Sequence, residues 1–197
     1  RDARDVTFEG LRFDHVAPPD APDHGRPFAV TGSQGVRFEA VQFTGGNTGY
    51  GLFVDHSRAV TVLGSRIQGF MRGIVVQDSR DIAVLDTELA GMRSDGLNFA
   101  AVQGVTIAGN HIHDFSRDPD SGDHADMIQF WTRGTTTPAT DITISDNLLD
   151  AGQGLWTQSI FMRNEAAEAG QAGMAYRDVT IRRNTIRNAH LHGITVG

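Results

Sequence analysis

The stretch Gly104-Val105-Thr106-Ile107-Ala108-Gly109-Asn110 carries a pattern of apolar residues that occurs seven times along the chain. Counted from Val105, the apolar residues occupy the first, third and eighth positions. The copies start at residues 6, 36, 60, 82, 105, 142 and 179, and the shortest steps between them are 22 to 24 residues. A repeat of this length, if made of strands, can bury its apolar side only against its neighbours, which predicts a solenoid.

Each repeat also has a second half. Leu52-Phe53-Val54 and Ile74-Val75-Val76 are two examples, and each begins eight residues before the next copy of the first pattern. Alternating apolar residues indicate strands with one buried face. We therefore expect an all-β chain, a single-stranded solenoid of parallel strands with about seven coils. Asn110, Asn147 and Asn184 hold equivalent positions at a bend, which predicts a ladder of asparagine side chains.

Composition limits the function classes. The 197 residues have a net charge of −7, no cysteine and no lysine. Disulfides, thiolate metal sites and a lysine base are excluded, and a nucleic-acid partner is disfavoured. No apolar stretch is long enough to span a membrane, so a membrane partner is not expected either. The chain starts without methionine and ends on a predicted strand, so we expect residues 1–197 to be one β-helical domain, a fragment whose terminal caps or additional domains are missing.

Insertions and polar residues concentrate in the same coils. Residues 116–125, 132–140 and 165–176 are insertions on either side of the later strand in coils five and six, where they would form walls around a floor. Polar residues at outward positions of that strand, in coils four to seven, are Asp95, Asn98, Asp126, Gln129, Arg163 and His192. Five further polar or aromatic residues lie beside them: His124, Trp131, Asn164, Glu165 and His190. Walls around a polar floor predict a binding or active site.

The coil repeat, the asparagine column and the segment Asp178-Val179-Thr180-Ile181-Arg182-Arg183-Asn184 resemble right-handed parallel β-helix proteins of the pectate-lyase-like superfamily. That resemblance implies a right-handed parallel β-helix that binds an extended acidic polysaccharide in a groove along one strand face. It implies a polysaccharide lyase or a mannuronan C5-epimerase as the activity. Residues 123–131 are similar to segments of large secreted bacterial proteins, which implies an extracellular location.

Cleavage of a polyuronate by β-elimination needs a neutralised carboxylate and a base at C5 of the sugar. Among the candidate catalytic residues, we expect Arg163 to neutralise the carboxylate, and His124 or His192 to act as the base. Asp126 would orient a histidine or bind calcium, the candidate cofactor, together with Asp95. The substrate-binding candidates are Asp95, Asn98, Gln129, Trp131, Asn164 and His190.

Other interpretations remain open. Trp131 can stack on a sugar ring or pack under residues 132–140, and the exposed Asp and Arg residues can be ordinary cross-strand ion pairs. His111 and His113 lie away from the floor and are interpreted as surface or turn residues. The alternative functions are a polygalacturonase-type glycoside hydrolase, which uses paired carboxylates, and a non-catalytic β-helix that binds glycans or has a structural role.

Overall fold

The computed structural model describes residues 1–18, 20–153 and 156–197, and this part of the chain forms seven coils of three short strands each. The first four coils contain, in chain order, β1 (Arg4–Glu9), β2 (Arg12–Asp14), β3 (Ala29–Thr31), β4 (Gln34–Glu39), β5 (Gln42–Thr44), β6 (Tyr50–Asp55), β7 (Arg58–Leu63), β8 (Arg66–Gln68), β9 (Arg72–Gln77), β10 (Arg80–Leu85), β11 (Glu88–Ala90) and β12 (Leu97–Ala100). The last three contain β13 (Gln103–Ala108), β14 (His111–His113), β15 (Ala125–Phe130), β16 (Thr140–Ser145), β17 (Leu148–Asp150), β18 (Thr157–Met162), the helix α1 (Glu165–Glu168), β19 (Arg177–Arg182), β20 (Thr185–Arg187) and β21 (Ile194–Val196).

Three parallel sheets of seven strands run the length of the solenoid. Sheet A contains the first strand of every coil, sheet B the second and sheet C the third. Each strand pairs with its equivalent in the next coil, so that Val105 lies opposite Ile82 on one side and Ile142 on the other. This arrangement is a right-handed parallel β-helix, and it confirms the predicted fold class and number of coils.

The interior is made of the apolar columns that the repeat predicts. Val60, Ile82, Val105 and Ile142 are in register on sheet A and are at most 3 % exposed. On sheet C, Leu52, Ile74, Leu97, Ile128 and Ile160 form the matching buried column. β-Branched and aromatic side chains suit these pleated, buried positions. The two columns face each other across one continuous core.

The bend between sheets A and B is closed by the predicted asparagine ladder. The Asn110 backbone N–H donates to Asn147 Oδ1 at 2.9 Å, and the Asn147 backbone N–H donates to Asn184 Oδ1 at 3.1 Å. In earlier coils the same role passes to Thr87 and Ser65, whose hydroxyl oxygens accept backbone N–H groups of the coil before. The ladder thus spans five coils, because any short side chain with an acceptor oxygen can fill the position.

Glycine is required where sheet C begins in the middle coils. A Cβ atom at Gly73 would lie 2.5 Å from the carbonyl oxygen of Gly96, and one at Gly96 would lie 2.5 Å from that of Met127. Adjacent coils therefore approach more closely here than a side chain permits. This close approach fixes the start of the strands that carry the candidate site.

The two end coils are less buried than the middle of the solenoid. Phe8 and Phe13 in the first coil and Val179 and Ile181 in the last pack against the core but remain partly exposed. In the described part of the chain, no helix has the length and apolar character needed to cross a membrane.

Candidate functional site

An open cleft of about 460 Å³ lies on the outer face of sheet C, in the coils where the insertions occur. It is lined by side chains that are cationic, aromatic or polar: Arg72, His124, Gln129, Trp131, Arg133, Phe161, Arg163 and Glu165. Trp131 and Phe161 are both partly exposed, and the Phe161 ring lies 5.1 Å from that of His124. Partly exposed aromatic rings beside guanidinium groups suit a ligand that is flat, polar and anionic.

The two insertions that follow β15 and β18 brace each other. Asn164 begins α1 and its side-chain oxygen accepts a hydrogen bond from the Ala167 backbone N–H at 3.0 Å. Thr132 donates from its hydroxyl to the same Asn164 oxygen at 3.1 Å, and its backbone N–H donates to Glu165 at 2.9 Å. One wall of the cleft is therefore held by hydrogen bonds between neighbouring coils.

Beneath the cleft lies a connected group of polar side chains, here called the sheet C cluster, which comprises Asp95, Asn98, His124, Asp126, Gln129 and Gln158. Asp95 and Asp126 point to the outer side of the sheet, yet they are only 1 % and 0 % exposed. The Asp126 backbone N–H donates to Asp95 Oδ1 at 3.1 Å. Arg72 forms an ion pair with Asp95, with 3.0 Å between Nε and Oδ2.

Burial dominates the electrostatics of both aspartates. Desolvation raises the pKa of Asp95 to about 7, against the opposing effect of the Arg72 charge. Desolvation also raises the pKa of Asp126, and the hydrogen bond from His124 opposes this rise. Two neighbouring buried carboxylates disfavour double ionisation, so near neutral pH the pair retains part of one proton.

His124 connects the buried pair to the cleft. Its side chain is 53 % exposed, and its Nδ1 lies 2.9 Å from Asp126 Oδ2. This hydrogen bond is the main cause of the raised pKa of His124. The other ring nitrogen, Nε2, lies 2.6 Å from the amide nitrogen of Gln158. Both ring nitrogens are thus engaged by side chains, Nδ1 by Asp126 and Nε2 by Gln158.

Three side-chain oxygens of the sheet C cluster are unmatched acceptors. Asp126 Oδ1, Asn98 Oδ1 and Gln158 Oε1 are all buried and accept no hydrogen bond from the described residues. Gln129 links the cluster internally, since its amide nitrogen donates to Asp126 Oδ2 at 2.9 Å and its oxygen accepts from Asn98 at 3.2 Å. Unmatched buried oxygens are expensive unless a proton, a water molecule or a cation satisfies them.

The predicted calcium ligands can be tested against this donor set. Unmatched carboxylate and amide oxygens near Asp95 and Asp126 fit a hard cation, which prefers oxygen ligands. The guanidinium of Arg72 beside Asp95 already supplies a positive charge to one carboxylate. Asp126 and its amide neighbours are therefore the residues best placed to hold calcium.

The structure brings most of the predicted site residues together. Asp95, Asn98, His124, Asp126 and Gln129 belong to one hydrogen-bonded cluster, and Trp131 and Arg163 line the cleft above it. Arg163 is not free, because Glu168 accepts a hydrogen bond from its Nη2 at 2.9 Å. Asp95, Asn98 and Asp126 are predicted to lie exposed on the floor but are buried beneath it.

The other three predicted residues lie apart from the cleft lining. Asn164 is 3 % exposed, and its amide nitrogen donates to the Met174 carbonyl, so it is a buried capping residue. His192 is exposed in the last coil, with its ring 6.5 Å from that of Phe161. His190 packs on Trp156 with 4.4 Å between ring centroids.

Four residues of the site were missing from the predicted set: Arg72, Arg133, Gln158 and Phe161. Arg72 and Gln158 occupy the coil position that also holds Asp126, so the register of the repeat could have identified them. Arg133 sits in an insertion, where the repeat gives no register.

A separate group of metal-ligand type lies at the corner between sheets C and A. Ligand atoms of Asp55, His56 and Asp78 lie within 4.8 Å of one another, the one such trio among the described residues. His56 is 69 % exposed, and Arg58 and Arg80 line the same groove, so cationic side chains compete with a metal there.

Comparison with known proteins identifies the class. The sequence model of a protein family, the right handed beta helix region, matches residues 28–197, and the chain belongs to this family. A crystal structure of PfbA, a surface adhesin of Streptococcus pneumoniae, aligns with a TM-score of 0.76 and 14% identity over 95% of this chain and 50% of that chain.

A second structure, of the Streptococcus pneumoniae surface protein and adhesin PfbA, aligns with a TM-score of 0.61 and 11% identity, covering 94% of this chain and 65% of that chain. The chain therefore spans between one half and two thirds of the length of these structures, and likeness at such low identity concerns the fold. No curated protein sequence matches the chain.

Proposed function

We propose that the protein is a non-catalytic extracellular binding module for an acidic glycan, held in the sheet C cleft. The observation that carries this proposal is that the groups lining the cleft differ from the groups buried beneath it. Aromatic and guanidinium groups line the open cleft, while both candidate acids are buried under it and both nitrogens of His124 are engaged. Such a surface can hold carboxylated sugars without presenting a free base to them.

The comparisons support the same direction. Both similar structures are of PfbA, a surface adhesin of Streptococcus pneumoniae, and an adhesin acts by binding. A location outside the cell or on its surface follows for this chain as part of the proposal. An extended solenoid face also suits a linear polymer, because successive coils present equivalent positions at a spacing of about 4.8 Å.

The binding test uses two arginines with matched surroundings. Arg163 and Arg183 are each about half exposed or more and each pair with a carboxylate, but only Arg163 lines the cleft. Titration of soluble polyuronates by calorimetry should give saturable binding that Arg163→Ala or Arg133→Ala weakens about tenfold. Arg183→Ala should bind as the unmodified protein does. Equal loss in all three variants, or no binding at all, would contradict the proposal.

The second candidate is a polyuronate lyase or C5-epimerase, which the hydrogen bond between His124 and Asp126 favours. A carboxylate behind a half-exposed histidine can orient the ring and stabilise its cation. In this reading His124 abstracts the C5 proton and Arg72 or Arg163 neutralises the sugar carboxylate. New ultraviolet absorbance from unsaturated uronate, or inverted uronate stereochemistry by NMR, would establish it. Both signals should vanish in His124→Ala.

Calcium and hydrolysis are tested in the same assays. If Asp126 and its amide neighbours hold calcium, a chelator should weaken glycan binding and added calcium should restore it. A polygalacturonase-type hydrolase would release reducing ends without unsaturation. That reading requires two accessible carboxylates, whereas Asp95 and Asp126 are both buried.

A further inference from the structure

Sheet B carries a second cluster of chemically active side chains, on a different face of the solenoid from the glycan cleft. His111 and His113 are alternate residues of β14, so both side chains point outward while Ile112 between them is buried. Their rings stack with 4.0 Å between centroids and 21° between planes. Glu88 lies directly opposite His111 on the neighbouring strand β11.

The contacts of His113 match the arrangement of a metal-binding histidine. Its Nε2 lies 3.0 Å from Glu88 Oε1, and its Nδ1 lies 2.8 Å from Asp114 Oδ2. Ligands of a tetrahedral zinc ion are separated by about 3.3 Å, given zinc–nitrogen distances of about 2.0–2.1 Å. The gap between His113 Nε2 and Glu88 Oε1 is close to that value. Asp114 takes the place of the carboxylate that commonly orients a ligating imidazole through its other nitrogen.

His111 supplies the remaining donor. It is exposed, and its ring nitrogens have no hydrogen-bond partner among the described residues, apart from its stacking on His113. In this structure its ring nitrogens do not lie within 4.8 Å of both other ligand atoms, so the proposed site requires the exposed His111 ring to turn about its side-chain bonds. Arg66 is the nearest competitor, with its Nη2 3.5 Å from Glu88 Oε1.

We propose that His111, His113 and Glu88 bind a divalent transition-metal ion on the outer face of sheet B, with Asp114 as a positioning residue. Imidazole and carboxylate donors suit zinc, copper or nickel, and three protein ligands leave room for a water or an exogenous ligand. Because Glu88 belongs to coil four and both histidines to coil five, the ion would tie two coils together. The site is independent of the glycan cleft.

Zinc chloride, titrated by calorimetry into the purified chain in a buffer that does not bind metals, tests the proposal. One equivalent should bind with micromolar or tighter affinity, and the melting temperature should rise with zinc. His113→Ala and His111→Ala should each abolish this event, while Asp114→Asn should weaken it about tenfold. Circular dichroism of the apo variants checks that each still folds.

His56→Ala is the matched control, because His56 belongs to the metal-compatible trio at the opposite corner. It should leave zinc binding unchanged. The imidazole NMR resonances of His111 and His113 should shift on zinc addition, whereas that of His15 should not. Absence of one-to-one binding in the micromolar range overturns the proposal. So does binding that survives the double variant His111→Ala/His113→Ala, or binding that follows His56 instead.

Discussion

Two groups of buried polar side chains occupy the same β-helix, and they are built on opposite principles. In the asparagine ladder each side chain both accepts and donates: Asn147 Oδ1 accepts from the Asn110 backbone, and its amide nitrogen donates to the Ile107 carbonyl at 3.0 Å. In the sheet C cluster, Asp126 Oδ1 and Gln158 Oε1 are buried without any donor among the described residues. The polar groups of the ladder have their hydrogen-bond partners, whereas several oxygens of the cluster do not.

The difference separates a structural role from a functional one. A fully satisfied buried network stabilises one arrangement, and its members recur from coil to coil because every coil has the same bend. Unmatched acceptors and two buried carboxylates cost stability, and such costs concentrate at binding and catalytic sites. Substitutions in the ladder should therefore change stability, and substitutions in the cluster should change function, ligand binding and pH response.

The largest effect is expected at the centre of the ladder. Asn147→Ala leaves the Asn110 backbone N–H and the Ile107 carbonyl buried without partners. Each unsatisfied group costs about 1–3 kcal/mol, so the free energy of unfolding should fall by about 3 kcal/mol. Chemical denaturation followed by circular dichroism measures this. Asn147→Thr should lose less, because Thr87 holds the equivalent position two coils earlier and its hydroxyl serves there as an acceptor. An unchanged unfolding midpoint in Asn147→Ala would show that the ladder carries no stability.

The second effect is a loss of stability as pH rises, and it originates in the cluster. Burial raises the pKa of Asp95 from its ordinary 3.8 to about 7, so between these values the folded state binds more protons than the unfolded state. Its contribution is complete below about pH 4 and is lost as pH increases through about 7. The raised pKa values of Asp126 and His124 act in the same direction.

Urea denaturation at intervals between about pH 4 and pH 8 measures the slope of the free energy of unfolding against pH, over the range between the ordinary pKa of Asp95 and its raised value of about 7. Asp95→Asn should flatten it, since the amide does not titrate, while the exposed Asp146→Asn should leave it unchanged. A slope of the opposite sign, with stability rising toward pH 8, would mean that the Arg72 charge outweighs burial at Asp95.

The sequence was sufficient to predict the ladder and the core but not the depth of the cluster. The repeated apolar positions identify the fold, and so do the asparagines at residues 110, 147 and 184. Both patterns recur at equivalent positions in successive coils. An outward position on a strand predicts an exposed side chain. Asp126 breaks that rule, since neighbouring side chains cover a residue on the outer face. Pairing of Arg163 with Glu168 was also beyond prediction, because it depends on the path of an insertion.

The third effect tests the unmatched hydrogen-bond acceptors of the sheet C cluster directly. Asp126→Asn removes a buried charge and adds a donor where acceptors are unmatched, so the free energy of unfolding should stay constant or rise by about 1 kcal/mol. The reverse change in the ladder, Asn147→Asp, places a charge among satisfied groups and should cost about 3 kcal/mol. Asp126→Asn should also lower the pKa of His124 in an NMR titration, because the carboxylate that raises it is gone. Strong destabilisation by Asp126→Asn would mean that its carboxylate is structural.

The smallest stability effect is expected at Arg163, where the comparison extends to the rim of the cleft. Arg163 and Arg183 are 51% and 60% exposed, and each pairs with a carboxylate that is itself about half exposed. Solvent screens such pairs and side-chain entropy opposes them, so neither Arg163→Ala nor Arg183→Ala should measurably change the melting temperature. The glycan titration then separates the two variants, because only Arg163 faces the cleft. A lower melting temperature for Arg163→Ala alone would indicate that its contacts hold the 165–176 insertion in place, and any loss of binding would then be a consequence of that structural change.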